Sequence, residues 1–312
     1  MTNTKHLSQL PQLFRSPFLR KVADGRYYNE LAERLEIAGL SGLMELRLAD
    51  IFEAVYGVLL KNYRCEYVFK NNLMQKWFLS RHSTERSFIT DEFRVGESRV
   101  DLALFSKTSV AFEIKTEFDS AIRLPSQSTA YMKVFDLVYV VTTEPMLLKL
   151  ESWIPKSVGV LLLGKTGSFR TVRDSESHAC RADLSMIFNC LRQPERIAIA
   201  EKLSKPKIEV PNSEIYDECK RIFRKLLPFE AHAHVVRQIR NRSYPTASAN
   251  LMSKVPDALK HVALTLRATN RDINRITKEL KMVPQKINTT HLDHDEHIFS
   301  IPEREAERVA CP

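Results

Sequence analysis

Asp101, Glu113 and Lys115 lie in two short apolar runs, Arg99-Val-Asp-Leu-Ala-Leu-Phe and Ser109-Val-Ala-Phe-Glu-Ile-Lys. Paired carboxylates supply hard oxygen donors of the kind that suit Mg2+ or Mn2+. An ammonium beside them adds fixed positive charge where water would be activated against a phosphodiester. Both runs are rich in Val, Ile, Leu and Phe and are joined by Ser106-Lys-Thr-Ser109, so each is expected to be a strand with a turn between. Side chains two apart on a strand share a face, which puts Glu113 and Lys115 together while Phe112 and Ile114 enter the core. If the strands form a hairpin, Asp101 comes round to the same face as Glu113. An acid-x-Lys pair on a strand is, by itself, most often a solvated face.

The neighbouring segments supply the positioning elements. Upstream, Val68, Phe69, Leu73, Met74, Trp77 and Phe78 fall at near-helical spacing in residues 66–79. Residues 87–95 are expected to be a first strand, with Gly96 turning into the second. Downstream, Pro125 precedes a helix over 126–135, on which Gln127 and Tyr131 stand four apart and share a face. Residues 137–142 are apolar on nearly every side, as a strand covered on both faces should be. A helix over 146–154 then leads to a last apolar run, 158–163. The order is helix, three strands, helix, strand, helix, strand.

That order and those residues resemble the PD-(D/E)XK nuclease superfamily. More closely, they are similar to a bacterial branch with a Glu-Tyr-Val-Phe-Lys-Asn helix, an Asp-Glu-Phe-Arg-Val-Gly strand, a Glu-Ile-Lys strand and a Gln-x-x-x-Tyr helix running into Lys-Val-Phe-Asp. The resemblance spans residues 65–164, about a third of the chain, and rests on the whole series. It implies an α/β protein with a restriction-endonuclease-like core, a mixed sheet flanked by helices, and helical N-terminal and C-terminal regions. On that likeness Asp101 and Glu113 would be metal ligands, the Ile114 carbonyl a further ligand, and Glu66 a helical acid added to the metal shell. Lys115 would orient the attacking water, and Gln127 and Tyr131 would flank the site against the phosphate backbone. The implied cofactor is Mg2+ or Mn2+, the partner a nucleic acid with DNA ahead of RNA, and the setting bacterial defence or mobile-element biology. A homodimer or an activating protein partner stays open. Val100 stands where many members carry Pro. The competing reading is a catalytically silent nucleic-acid-binding or adaptor protein that keeps the fold.

Length and charge bound the rest. A chain of 312 residues can bury a substantial core. The expected divisions are a helical region 1–64, the nuclease-like core 65–165, short helices and a connection over 166–213, a basic helical region 214–286, and an acidic, His-rich tail 287–312. Of the net charge of +9, nearly all arises between 214 and 286, where fifteen Lys and Arg face seven Asp and Glu. Such a segment attracts a polyanion, although a basic solvated surface gives the same count. Five scattered cysteines without a Cys-x-x-Cys pair suit free thiols in a reducing cytoplasm. The longest apolar runs are too short to span a bilayer.

Three further patterns are expected to be inert. Gly159-Val-Leu-Leu-Leu-Gly-Lys-Thr166 satisfies the written pattern of a phosphate-binding loop, but its intervening residues are themselves strand-like. His291, His294 and His297 sit in a polar tail with nothing to shape a metal site. His232 and His234, on a basic helix, are expected at the surface.

Overall fold

The computed structural model describes residues 4–80, 87–204 and 207–286. Its centre is one six-stranded mixed sheet in sequential order, β1 (Phe88–Val95), β2 (Ser98–Phe105), β3 (Ser109–Ile114), β4 (Leu137–Thr142), β5 (Gly159–Leu163) and β6 (Phe169–Arg173). β1, β2 and β3 form an antiparallel meander, β3, β4 and β5 run parallel, and β6 returns antiparallel to β5. Parallel neighbours need a crossover between them. α5 (Leu124–Met132) serves β3 to β4, and α6 (Glu144–Leu150) serves β4 to β5.

The strands alternate between two cores, which is the period-2 rule acting on every strand at once. One face carries Leu102, Leu104, Phe112, Ile114, Tyr139 and Val141. It packs on α1 (Ser16–Ala23), α2 (Tyr28–Ile37), α3 (Leu48–Asn62) and α4 (Glu66–Asn72), and on residues brought back from the C-terminal part. The other face carries Ala103, Phe105, Ala111, Val138 and Val140, and packs on α5, α7 (Leu184–Asn189), α8 (Gln193–Ser204), α9 (Ile215–Phe223) and α10 (Pro228–Arg240). α11 (Thr246–Lys254), α12 (Lys260–Thr265) and α13 (Asn270–Glu279) complete the first core. The boundaries expected at 64/65 and 213/214 therefore fall inside packed cores, because helices from both ends of the chain cover the same sheet.

Several local expectations needed correction. The helix over 66–79 is α4 followed by a π-helical stretch, Leu73–Leu79, an irregularity often found beside functional sites. β6 falls in the stretch 166–213, where only short helices and a connection were expected. Its five residues are partly or fully exposed, as suits an edge strand, so no apolar alternation announces it. His232 is 5% exposed, its Nε2 lying 2.8 Å from Ser109 Oγ, so it is an internal residue of α10 and not a surface one. Gly159 begins a strand whose residues are all buried, and Gly164 to Gly167 turn directly into β6, so the phosphate-loop pattern has neither its loop nor its helix. The tail 287–312, with its three histidines, lies outside the described residues. No helix among the described residues is long and apolar enough to cross a membrane.

The basic C-terminal region spends part of its charge internally. Arg242 Nε and Nη2 meet the two Glu195 oxygens at 2.7 and 2.8 Å, and Arg192 N–H donates to the same carboxylate at 2.7 Å. Burial alone would raise the Glu195 carboxyl, and the Arg242 hydrogen bonds override it, leaving it below the usual range. A depressed carboxyl stabilises the fold above its unfolded value and loses that contribution as pH falls through its folded value. Glu195→Gln is expected to lower unfolding free energy by about 1–3 kcal/mol at neutral pH. The gap between wild type and variant should close as chemical denaturation is repeated at pH values progressively below 4.5, the ordinary value for this group.

Candidate metal centre

Register builds the site. The hairpin between β1 and β2 turns at Gly96-Glu97, pairing Val95 with Ser98, Phe93 with Val100 and Asp91 with Leu102. Glu92 consequently stands opposite Asp101. On the other side of β2, Leu102 pairs with Phe112, so the same register puts Asp101 opposite Glu113. Three carboxylates thus stand abreast on three adjacent strands. Glu92 has φ of +51°, a left-handed backbone inside a strand. That costs on the order of 1–3 kcal/mol for a residue of this type, and such strain gathers at functional sites.

Glu113 is 2% exposed and its neighbours hold it from two sides. Lys115 Nζ donates to Glu113 Oε1 at 2.8 Å and to Gln127 Oε1 at 3.2 Å. The Tyr131 hydroxyl lies 2.9 Å from Glu113 Oε2 and 2.6 Å from the Arg99 carbonyl. A phenol has one proton for those two acceptors, so a proton on Glu113 would satisfy both contacts. Burial pushes Glu113 in that direction, and the Lys115 ammonium opposes it without reversing it. Asp101 accepts from the Ile114 N–H at 2.6 Å, which ties β2 to the end of β3. Its carboxyl is pushed up to about 8, first by burial and then by the charge of Glu113. Two carboxyls raised by burial, Asp101 also by the charge of Glu113, are what a cation of higher charge would relieve.

A second group meets Asp101 from the β1 side. Ligand oxygens of Glu66, Glu92 and Asp101 all lie within 4.8 Å of one another. Lys70, one turn along α4 from Glu66, places its buried Nζ 2.5 Å from Glu66 and 3.5 Å from Glu92. Burial would lower the Lys70 ammonium, but Asp91 and Glu66 hold it up. Lys70 therefore neutralises this end of the row, as Lys115 does the other. Asp91, beside Glu92 on β1 and close to Lys70, pairs with His261 Nε2 at 2.8 Å, linking α12 to the site's edge.

Each residue singled out in the sequence can be placed. Asp101, Glu113, Lys115, Gln127 and Tyr131 converge, and the Ile114 backbone is in the same cluster. Glu66 joins on the Asp101 and Glu92 side, shared with Lys70. Glu92 and Lys70 were not singled out in the sequence; on charge alone, Glu92, Arg94, Glu97 and Arg99 would suit cross-strand surface pairs. The register instead sets Arg94 against Arg99 and Glu92 against Asp101, like charge facing like. The signal was available: a two-residue turn at Gly96-Glu97 fixes the pairing, and counting back from it reaches Asp101.

Ser109, His232 and Asp136 also meet. Ser109 Oγ lies 2.8 Å from His232 Nε2, and accepts from the Asp136 backbone N–H at 3.1 Å. Ser109 is 1% exposed and the Asp136 carboxylate is turned to Thr108 and Ser177, so the trio is a satisfied core network and not a nucleophile.

Comparison with known proteins adds a family. The profile of the family described as bacteriophage P4 protein cII matches residues 60–277. Among individual proteins, protein cII of Enterobacteria phage P4 is 24% identical over 251 residues, covering 75% of this chain and 94% of that protein. No solved structure gives a significant match.

Proposed function

This chain belongs to the bacteriophage P4 protein cII family, and we propose that it is a metal-dependent nuclease with a restriction-endonuclease-like, PD-(D/E)XK-type core, hydrolysing phosphodiester bonds of nucleic acid, with DNA ahead of RNA. The observation that carries this reading is the row Glu92, Asp101 and Glu113, with a buried ammonium hydrogen-bonded to Glu113. Oxygen-only donors with raised carboxyl pKa values fit a hard divalent cation. Asp101 and Glu113, with the Ile114 carbonyl and Glu66, would hold Mg2+ or Mn2+. When bound, such an ion lowers the pKa of a coordinated water and takes up charge on the phosphoryl oxygens.

The chain's own groups do the positioning. Lys115, anchored by Glu113 and Gln127, holds a fixed positive charge where negative charge develops on the phosphate. Tyr131, spanning the Arg99 carbonyl and Glu113, fixes the carboxylate rotamer. Gln127 Nε2 reaches the Tyr131 hydroxyl at 3.5 Å and so couples the two supports. The exposed basic residues of the C-terminal helices would add phosphate contacts. The phage member of the family favours mobile-element biology, and the four cysteines among the described residues, all free, suit a reducing cytoplasm.

A binding-only adaptor has no physical need for buried paired carboxylates, which repel phosphate when no cation is bound. The deciding experiment incubates the protein with plasmid, single-stranded DNA and RNA in Mg2+, Mn2+ or Ca2+. Cleavage with the first two ions, and binding without cleavage in Ca2+, is expected. Intact substrates in every arm over a wide pH range would overturn the assignment in favour of the adaptor.

A further inference from the structure

The loop that follows the Glu-Ile-Lys strand leads into a large cleft whose lining has a chemistry of its own. Phe118, three residues after Lys115, is 59% exposed and stacks on Tyr63 with ring centroids 4.8 Å apart. Asp119 holds the turn, accepting from the Thr116 N–H and hydroxyl, each at 2.8 Å, while the Phe118 N–H donates back to Thr116 Oγ1 at 3.2 Å. The ring is thus presented outward by a braced turn. Behind it lies a cleft of about 960 Å3, floored by apolar side chains that include Leu7, Val58 and Met146. His6, Lys61, Arg64 and Lys149 line it, against Glu117 as the one acid among its described lining residues, and Glu117 is 3.5 Å from Arg64.

The cleft opens beside the C-terminal ends of β3 and β4, the end of a parallel sheet where ligands of open α/β folds bind. The Lys115 carbonyl accepts from Thr142 Oγ1 at 2.6 Å, and the cleft residues Pro145 and Met146 follow Thr142 closely in sequence. Three residues of extended chain reach at most about 11 Å, so Phe118 lies within a nucleotide or two of Lys115.

We propose that this cleft is a single-strand site: an unpaired nucleotide next to the scissile phosphate stacks its base on the outer face of Phe118, while Lys61 and Lys149 take the flanking phosphates. This deepens the nuclease reading and rests on it for the position of the scissile bond. Every base has an aromatic face, so an aromatic platform with basic residues around it grips a strand without reading its sequence. A paired base is already stacked on both sides, so the same ring offers a duplex nothing except at a frayed end or bulge.

The test is equilibrium binding in Ca2+, read by fluorescence anisotropy, so that it does not depend on cutting. The probes are a labelled single-stranded DNA, the same sequence as RNA, its blunt duplex, and an abasic oligodeoxynucleotide that keeps the phosphates and lacks the bases. Phe118→Leu keeps the volume and removes the aromatic face, and Phe118→Trp restores it. Phe118→Leu is expected to weaken single-strand binding about 5- to 100-fold, with the abasic probe unchanged and Phe118→Trp near wild type. Lys149→Ala should weaken single-stranded and abasic probes alike. Loss in the DNA arm, the RNA arm or both supports the site and tells which sugar it takes. An equal loss on the abasic probe, or no loss on either single strand, overturns it. Failure of the cleavage assay with this pattern intact would reject the nuclease and keep the strand site, and plasmid cleavage with single-strand binding unchanged by Phe118→Leu would keep the nuclease and reject the strand site.

Discussion

Glu113→Ala is expected to reduce cleavage by at least about 10²–10³-fold, the scale on which charge stabilisation in a transition state is lost, while nucleic-acid binding in Ca2+ stays within a few-fold. Glu113 faces Asp101 across the sheet, holds Lys115 and receives Tyr131, so its removal takes away a cation ligand and frees the ammonium together. Truncation also leaves Lys115, 6% exposed, without its carboxylate, and a buried unpaired charge is costly. Circular dichroism must therefore accompany the assay. Glu113→Gln keeps volume and most hydrogen bonds, and should lose cleavage to a similar degree with the fold intact. A folded Glu113→Gln protein that cuts at the wild-type rate would reject the assignment of this carboxylate.

Asp101→Asn is expected to separate stability from activity. Its carboxyl is raised from an ordinary value of 3.8 to about 8 by burial and by Glu113. A raised carboxyl works in the opposite sense to Glu195. The folded protein retains the proton that the unfolded chain releases, so stability falls as pH rises from about 4 to about 8, and the loss is complete above that. An amide carries no charge to repel Glu113, and its oxygen can still accept from the Ile114 N–H. In EDTA the variant should therefore melt higher than wild type at pH 8, by an amount equivalent to about 1 kcal/mol, and the two should converge near pH 4. Mg2+ or Mn2+ should raise the melting temperature of wild type but not of Asp101→Asn, and the variant should not cut. Equal stability at every pH would show that Asp101 is not under electrostatic strain.

The two variants probe one physical state from opposite sides. A site that holds carboxylates together before any ion arrives stores repulsion, which the ion's binding relieves. Lys70 and Lys115 moderate that repulsion at the two ends of the row, Lys70 against Glu66 and Glu92, Lys115 against Glu113. Asp101 lies between them, with no ammonium hydrogen-bonded to it among the described residues, and burial together with the charge of Glu113 pushes its carboxyl up to about 8.

How much of this was legible in the residues depended on whether the signal was local. The strands bearing Asp101 and Glu113, the helix bearing Gln127 and Tyr131, and the shared face of Glu113 and Lys115 all follow from apolar runs, turn residues and the period of 2 or 3.6. β6 escaped because an exposed edge strand needs no apolar pattern. His232 was misplaced because a polar residue on a basic helix gives no sign that Ser109, 123 positions earlier, waits to receive it.

The sequence alone determined the mixed α/β order and the pairing of an acid with an ammonium on one strand face, because backbone geometry enforces both within a few residues. Tertiary structure alone decided that helices from both termini share the two cores, that Glu92 completes a carboxylate row, that Lys70 closes its far end, and that Phe118 stands on Tyr63 at the mouth of a basic cleft. Those depend on which strands pair and which helices cover them. Register and packing are settled by the burial of the whole apolar surface at once, and no window of neighbouring residues carries that information.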